Sequence, residues 1–189
     1  MTTSESTSTP FLSDVKALRD QARRSLEDGA VVAESYGGDP KKTVEILQSV
    51  LATELVCVLR YTQHSIAAAG LDSSGAKAEF AEHAGQELDH AHWVAERITQ
   101  LGGTPDFSPD TLTGRSASQF VAGADLVDMI RENLIAERIA VAHYQELVRY
   151  FSDKDPTTRV LIERILEVEE EHADDMHDLL VAHEGKPML

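Results

Sequence analysis

The segments Glu87-Leu88-Asp89-His90 and Glu169-Glu170-Glu171-His172 decide the fold of this 189-residue chain, because each carries a glutamate and a histidine three residues apart. At that spacing both side chains lie on one face of an α-helix and can reach the same metal ion. A lone glutamate stands on the preceding predicted helix in each case, Glu54 before the first pair and Glu137 before the second. Chance alone yields about one Glu-x-x-His match in a chain of this composition. The repetition of the whole set is therefore the informative signal.

Each of the four glutamates falls within the apolar stripe of its predicted helix. Glu54 shares a helical face with Leu47 and Leu51, and Glu169 shares one with Ile165. The 3.6-residue period of the helix points these faces into the core. An unpaired carboxylate in that position costs several kcal/mol, and no lysine or arginine shares the stripes. Bound cations are the available compensation, since two divalent ions balance four carboxylates while the imidazoles stay neutral.

The sequence predicts six ligands for two metal ions. Each lone glutamate binds one ion, each glutamate of a pair bridges both ions, and each imidazole gives one nitrogen to one ion; the set is Glu54, Glu87, His90, Glu137, Glu169 and His172. Oxygen and nitrogen ligands without thiolate suit iron or manganese better than a structural zinc. For either pair taken alone, the alternative is a surface pair on a helix. For the six together, the alternative is an ordinary core.

Four long helices account for these positions. Asp39-Pro40 and Asp155-Pro156 each join a capping side chain to a proline at the first helical position, so a helix begins at each. The second helix begins near Ser73, and a third surrounds Glu137. Short links join the helices within each pair, and residues 102–124 form one long connection between the pairs. We predict an all-α fold, a four-helix bundle with one long crossover.

The two halves of the bundle, residues 40–101 and 125–183, form a weak internal repeat. In each half a tyrosine follows the lone glutamate by seven residues, Tyr61 in the first and Tyr144 in the second. His64 lies further along the same predicted helix as Tyr61. We interpret His64 either as a neighbour of the metal site or as a capping or surface histidine.

The rest of the chain divides into two further segments. Residues 1–10 are rich in serine and threonine and are predicted to be a disordered tail. Residues 11–35 are predicted to form a short amphipathic N-terminal helix outside the main pattern, and residues 36–189 form the bundle domain. The start of the chain has no basic or apolar stretch typical of a secretory signal. We therefore expect a cytoplasmic protein.

Composition disfavours several classes of protein. The formal net charge of −16 opposes binding to nucleic acid or to an anionic membrane. No apolar run approaches the ~20 residues that span a membrane. The single Cys57 excludes an intrachain disulfide and any site built from paired cysteines.

Roughly residues 40–183 resemble the bacterioferritin branch of the ferritin-like superfamily. The matching segments are Thr53-Glu54-Leu55-Val56 through Tyr61 and His64, Glu82-His83 through His90, Arg97-Ile98 through Leu101-Gly102-Gly103-Thr104-Pro105, and Asp155-Pro156 through His172. The resemblance implies that the six ligands bind two iron ions per subunit, with manganese as the alternative metal. It also implies that Fe(II) is oxidised by oxygen or hydrogen peroxide and that the ferric product moves into the cavity of a cage. Tyr61 matches a family tyrosine close to the di-iron site and is expected to take part in the reaction.

The chain departs from bacterioferritins in three places. Leu88 stands where haem-binding members carry a methionine ligand, so haem is not expected. Few residues follow His172, which leaves little room for the short fifth helix that lines the four-fold channels of 24-subunit ferritins. The extra N-terminal helix is not typical of bacterioferritins either. The last two features are similar to Dps-like mini-ferritins, and this resemblance favours a homo-oligomeric 12-mer over a 24-mer.

The predicted function is therefore ferroxidase activity with iron storage or detoxification. The alternative on the same bundle is an iron or manganese oxidase, peroxidase or catalase that stores no mineral. A DNA-protecting structural protein is a third possibility, but the charge of −16 opposes it.

Overall fold

The computed structural model describes residues 14–27, 32, 36–70 and 73–184. Within these ranges the chain forms six α-helices and no β-strand: α1 (Val15–Glu27), α2 (Pro40–Ala67), α3 (Ser73–Gln100), α4 (Pro109–Arg115), α5 (Leu126–Phe151) and α6 (Pro156–Glu184). The four long helices are the four that the sequence predicts, and the all-α fold is confirmed. The short α4 lies inside the predicted connection.

Local hydrogen bonds explain where the long helices begin. The side chain of Asp39 accepts a hydrogen bond from the backbone N–H of Lys41 at 2.9 Å, and α2 starts at the next residue, Pro40. Asp155, the residue before α6, likewise accepts a hydrogen bond from the backbone N–H of Thr158 at 2.9 Å. Each carboxylate satisfies an N–H that has no partner inside the helix. Both helix starts predicted from an Asp-Pro pair are confirmed.

The long helices pack as two hairpins. Helix α2 packs along α3, and α5 packs along α6, while narrower contacts join α3 to α6 and α2 to α5. The crossover between the hairpins carries α4, which packs on α2. Each hairpin therefore contributes one Glu-x-x-His pair and one lone glutamate to the middle of the bundle.

A polar layer separates the two larger apolar clusters of the core. The first core cluster includes Leu51, Val94 and Ile165, and the second includes Phe80 and Met176. Along α3 and α6 the predicted ligands lie between residues of the two clusters. Burial of a side chain of this size contributes about 1.5–3 kcal/mol, so the two clusters supply the stability that lets the intervening layer remain polar.

Asp155 also fixes the segment before α2 to the end of the bundle. Its Oδ2 accepts a hydrogen bond from the Tyr36 hydroxyl at 2.7 Å, and its Oδ1 accepts one from Arg97 Nη2 at 2.9 Å. Three elements are thereby joined at one carboxylate. Burial opposes the charged form of Asp155, but hydrogen bonds from the hydroxyl and the backbone N–H of Thr158, together with Tyr36 and the charge of Arg97, hold its pKa below the ordinary value.

The N-terminal part of the chain is described only in part. Helix α1 lies within the predicted segment 11–35, and none of its residues is buried. The predicted tail, residues 1–10, lies outside the described residues, as do residues 185–189. The division of the chain into tail, N-terminal helix and bundle domain stays a prediction. No helix in the described part of the chain is long and apolar enough to cross a membrane.

Candidate di-metal centre

All six predicted ligands meet in the polar layer, and each is at most 1% exposed. They fall into two groups whose ligand atoms lie within 4.8 Å of one another. Half-site 1 consists of Glu54, Glu87, His90 and Glu169, and half-site 2 consists of Glu87, Glu137, Glu169 and His172. The glutamates of the two pairs belong to both groups. The structure thus brings the six side chains together, and it places Glu87 and Glu169 in both groups, as carboxylates that bridge two ions require.

Half-site 1 is closed by hydrogen bonds of His90. Its Nδ1–H donates to Glu169 Oε1 at 3.1 Å and to Glu54 Oε2 at 3.2 Å, and Glu87 Oε2 lies 3.6 Å away. Burial disfavours the imidazolium, but the hydrogen bonds with these carboxylates outweigh it and raise the pKa of His90 to about 12. In the ion-free protein a proton on His90 therefore occupies the position between the carboxylates.

Half-site 2 is not closed in this way. One buried atom of each of its four members has no hydrogen-bond partner among the described residues: Glu87 Oε1, Glu137 Oε2, Glu169 Oε2 and His172 Nδ1. His172 Nδ1 lies 3.4 Å from Glu169 Oε2 and 3.6 Å from Glu87 Oε1. A buried polar atom without a partner costs about 1–3 kcal/mol, so four of them facing one another are the expected lining of a cation site.

The imidazole of His172 is oriented by Gln86. Its Nε2–H donates to Gln86 Oε1 at 2.8 Å, which leaves Nδ1 to face the carboxylates of half-site 2. A ligand histidine held through its other nitrogen is the usual arrangement at metal sites. In the ion-free protein burial opposes the charged form, but the nearby carboxylates of Glu169 and Glu87 favour it and raise the pKa of His172 to about 10. A metal ion would take the place of that proton.

Burial in the polar layer also disfavours the charged forms of the two lone glutamates. Burial, reinforced by the charge of Glu87, raises the pKa of Glu54 to about 7. The same two causes raise the pKa of Glu137 well above its ordinary value. These lone glutamates thus resist ionisation until a cation is present. The donor set of four carboxylates and two imidazoles without thiolate fits two iron or manganese ions.

Two tyrosines hold the lone glutamates. The Tyr61 hydroxyl donates to Glu137 Oε1 at 2.5 Å, and the Tyr144 hydroxyl donates to Glu54 Oε1. Each hydroxyl belongs to one hairpin and its carboxylate to the other. Tyr61 therefore lies directly beside the predicted ligands, and Tyr144 occupies the equivalent position in the other half of the repeat.

The sequence patterns missed a buried arginine next to the centre. Arg60 is 1% exposed, and its guanidinium donates to Asn133 Oδ1 at 2.8 Å, to Ser118 Oγ at 3.1 Å and to Gln119 O at 2.9 Å. These hydrogen bonds go to the crossover and α5, and not to the ligand carboxylates. Arg60 therefore adds positive charge near the layer without replacing the cations that the carboxylates require.

His64 is buried beside the same network, so the capping or surface alternative is wrong. Its Nδ1 accepts from Asn133 Nδ2 at 3.1 Å, and its Nε2–H donates to Val121 O at 3.0 Å. Burial lowers the pKa of His64, in agreement with a neutral ring that donates once and accepts once. Its role is to fix the crossover on α2, next to the centre but outside it.

The two ligand histidines have different neighbours. The ring of His83 stacks on His172 with centroids 3.9 Å apart, and burial lowers the pKa of His83 to about 3. On the opposite side, the ring of Trp93 lies 5.4 Å from that of His90, and the Arg164 guanidinium lies over Trp93 at 4.5 Å. The position of His83, one turn before Glu87, was the sequence signal that could have identified it.

Comparison with known proteins agrees with this geometry. Residues 44–184 match the family model for the ferritin-like domain. The chain is 30% identical over 162 residues to the DNA protection during starvation protein of Pyrococcus furiosus, covering 82% of this chain and 84% of that protein. The structure superposes with a TM-score of 0.73 on the dodecameric thioferritin, a bacterioferritin-related protein of Bacteroides fragilis, at 30% identity over 76% of this chain and 87% of that one. The predicted resemblance to bacterioferritins and mini-ferritins is confirmed.

A second group of relatives has a different activity. The chain is 34% identical over 100 residues to the 3-demethoxyubiquinol 3-hydroxylase of Legionella pneumophila (strain Corby), which is 51% of this chain and 46% of that enzyme. The chain thus matches about half the length of this relative.

Proposed function

We propose that this chain, which belongs to the ferritin-like family, is a ferroxidase that oxidises Fe(II) at a di-iron site inside each subunit and stores the ferric product in an oligomeric cage. One observation carries the proposal: four buried ligand atoms of half-site 2 face one another without hydrogen-bond partners among the described residues. Such an arrangement is costly to keep unless an ion occupies it for part of the working cycle.

The residues of the centre have different roles in this proposal. The six ligands hold two Fe(II) ions, which are the substrate, and the shared Glu87 and Glu169 keep the ions adjacent. Bound iron supplies the electrons that reduce oxygen or hydrogen peroxide. Gln86 keeps His172 Nδ1 directed at the ion, and the Tyr61 hydroxyl fixes the orientation of Glu137. Arriving ions displace protons from His90 and His172, and Glu54 loses its own proton when its charge is compensated.

Burial of the centre supports a small oxidant and an inorganic substrate. Because every ligand side chain is at most 1% exposed, oxygen and peroxide fit the layer better than an organic molecule does. The alternative is a di-metal oxidase, peroxidase or catalase that uses iron or manganese on the same bundle and stores no mineral. The identity to a hydroxylase supports this alternative, although an organic substrate would require the helices to separate.

An aerobic Fe(II) titration of the metal-free protein, followed by near-ultraviolet absorbance, tests the proposal. We expect fast oxidation with a break near about two irons per chain, and then slower continued uptake. A break at about two without further uptake would favour the non-storing oxidase. The absence of a fast phase would overturn the iron assignment, and the titration would then be repeated with Mn(II) and peroxide.

Storage requires a cage, and we propose that the cage is a 12-mer. The thioferritin that superposes on this chain is dodecameric by its name. Exposed apolar side chains on the long helices, such as Leu59 and Ile66 on α2 and Ile139 on α5, are suited to contacts between subunits. Light scattering after size exclusion, together with electron microscopy, measures the assembly. A 24-mer or a dimer would overturn the dodecamer.

We further propose that the cage does not bind DNA, in contrast to what the name of the Pyrococcus relative indicates for that protein. The formal net charge of −16 repels a polyanion. A gel-shift experiment at low salt should show free DNA at every protein concentration. A retarded band that disappears as salt is raised would contradict this.

A further inference from the structure

A third group of metal-binding side chains lies beside half-site 2. Glu79 and His83 are one turn apart on α3, and Asp175 faces them from α6. His83 Nε2 lies 3.3 Å from Glu79 Oε1 and 3.4 Å from Asp175 Oδ2. One ligand atom of each residue lies within 4.8 Å of the others. None of the three is among the six ligands of the di-metal centre.

The hydrogen bonds of Tyr61 determine which way His83 presents its lone pair. The single hydroxyl proton of Tyr61 is donated to Glu137, so the Tyr61 oxygen can only accept from His83 Nδ1–H, which is 3.2 Å away. A neutral His83 then has its proton on Nδ1 and a lone pair on Nε2. That lone pair points at two carboxylate oxygens. Three acceptors that face one another require a shared cation, either a proton or a metal ion.

Exposure within the group makes it accessible to an ion from solvent. The side chain of His83 is only 2% exposed, whereas those of Glu79 and Asp175 are 35% and 52% exposed. The nitrogen is thus fixed from behind by Tyr61, and the two carboxylates can move to complete a coordination shell. One imidazole and two carboxylates form a ligand set that binds Fe(II), Mn(II) and related divalent ions.

The group also contacts side chains of the di-metal centre. The ring of His83 stacks on the ring of His172, a member of half-site 2, with centroids 3.9 Å apart. Its other contact, Tyr61, holds Glu137 of the same half-site. The ring of His83 therefore lies between an ion bound by this group and half-site 2. The partly exposed Glu79 and Asp175 lie on the side that faces solvent.

We propose that Glu79, His83 and Asp175 form a third divalent-cation site, from which Fe(II) passes to half-site 2. The metal-binding part of this inference stands on the geometry of the three residues alone. The transfer of iron rests on the proposed ferroxidase function. The two parts therefore need separate measurements.

The first measurement counts bound Co(II) per chain by equilibrium dialysis of the full-length protein. We expect three ions per chain for the wild type and two for the double variant Glu79→Gln, Asp175→Asn. The matched control is Glu82→Gln, Asp174→Asn, which removes the same charge from exposed neighbours on the same two helices and should still bind three. If the group holds only a proton, the wild type and the Glu79→Gln, Asp175→Asn variant will bind equal numbers of ions, and the site is overturned.

The second measurement is stopped-flow oxidation with less Fe(II) than the di-metal centre can hold. Loss of the two carboxylates should slow the fast phase by about tenfold, because local charge concentrates cations at the point where they bind. The break at two irons per chain should persist, since the six ligands are untouched. An unchanged rate in the Glu79→Gln, Asp175→Asn variant, or an equal slowing in the control, would refute the transfer step.

The two measurements also separate this inference from the proposed function. Three Co(II) ions in the wild type without fast iron oxidation would support the third site and overturn the ferroxidase. Fast oxidation with only two Co(II) ions in the wild type would support the ferroxidase and overturn the third site.

Discussion

The two half-sites use the same kinds of ligand and yet differ in how those ligands are held. In half-site 1, the Nδ1–H of His90 already binds Glu54 and Glu169. In half-site 2, His172 Nδ1 and three carboxylate oxygens have no such partner in the described part of the chain. Internal repetition of a sequence motif therefore does not produce two equivalent sets of hydrogen bonds around the candidate ligands.

The surroundings extend the same contrast. Behind His90 lie the indole of Trp93 and the guanidinium of Arg164, which offer no metal ligand. Behind His172 lies His83, followed by two partly exposed carboxylates. The side of the centre next to half-site 2 is thus polar and partly exposed, whereas the side next to half-site 1 is aromatic and cationic. We infer that half-site 2 binds its ion first.

The largest effect on Fe(II) oxidation is expected from a substitution that damages both half-sites at once. Glu87→Ala deletes a ligand of both half-sites, so fast Fe(II) oxidation should fall by at least about 100-fold, more than the loss of an orienting neighbour usually costs. Stopped-flow absorbance measures the fall. Asp89→Ala, an exposed carboxylate on the same turn of α3, is the matched control and should oxidise iron normally. Retention of the two-iron break in Glu87→Ala would show that Glu87 is not a shared ligand.

The next effect should separate the half-sites. Glu137→Gln damages only half-site 2 and should weaken binding of the first ion by about tenfold or more, whereas Glu54→Gln should weaken only the second. Calorimetric titration with Co(II) resolves the two events. Each variant serves as the other's control, because each removes one buried lone glutamate. Identical titrations for the two variants would mean that the half-sites fill without order.

The stability of the metal-free protein should fall as pH rises from 6.5 to about 10. The folded-state pKa is raised from 4.5 to about 7 for Glu54 and from 6.5 to about 10 for His172. A group with a raised folded-state pKa stabilises the fold below its unfolded-state pKa, and this stability is lost as pH rises through the folded-state value. Glu54 therefore acts between pH 4.5 and about 7, where the lowered pKa of His83 has the opposite effect below pH 6.5, and His172 acts between pH 6.5 and about 10. A net loss of about 2 kcal/mol lowers Tm by about 4–8 °C in a chain of this size.

Thermal unfolding in the presence of a chelator, followed by circular dichroism, measures this loss. Saturation with Co(II) is the control and should flatten the dependence, because ions replace the protons. A Tm that increases between pH 6.5 and about 10 in the metal-free protein would contradict the assigned protonation of His172.

The smallest effect compares the two tyrosines. Tyr144→Phe removes one hydrogen bond to a buried carboxylate, and Tyr61→Phe removes one to Glu137 and also leaves His83 Nδ1 without its partner. A buried group left without a partner costs about 1–3 kcal/mol, so Tyr61→Phe should be the more destabilising of the two. Denaturant titration of both variants gives the difference. The contrast between the half-sites would be weakened if Tyr144→Phe cost more.

The starts of the long helices and the buried positions along them could be predicted from sequence, because both depend on residues close together in the chain. The helix starts at Pro40 and Pro156 follow from a capping aspartate, which accepts a hydrogen bond from a backbone N–H two or three residues later. The ligand positions follow from helical periodicity. Helix α4 was not predicted, because seven residues in a segment containing proline and glycine give no clear period. Its existence depends on packing against α2, which only the fold supplies.

Long side chains and distant partners limited the prediction of the site. Arg60 reaches Ser118 and Asn133, which lie in parts of the chain far from it in sequence. His83 is recognisable as a possible ligand only when Asp175 is placed opposite it. Periodicity indicates which face of a helix is buried, but it contains no information about which side chain from another helix meets that face.

The distribution of ligands between the two hairpins has a consequence for folding kinetics. Half-site 1 takes three ligands from the α2–α3 hairpin and Glu169 from the other, and half-site 2 takes three from the α5–α6 hairpin and Glu87 from the first. Because each hairpin is packed more extensively within itself than against its partner, docking of the hairpins is expected to be a late step. Ions that depend on Glu87 and Glu169 across that junction would then slow unfolding more than they speed folding. The loaded protein would owe its persistence to a slow rate of hairpin separation.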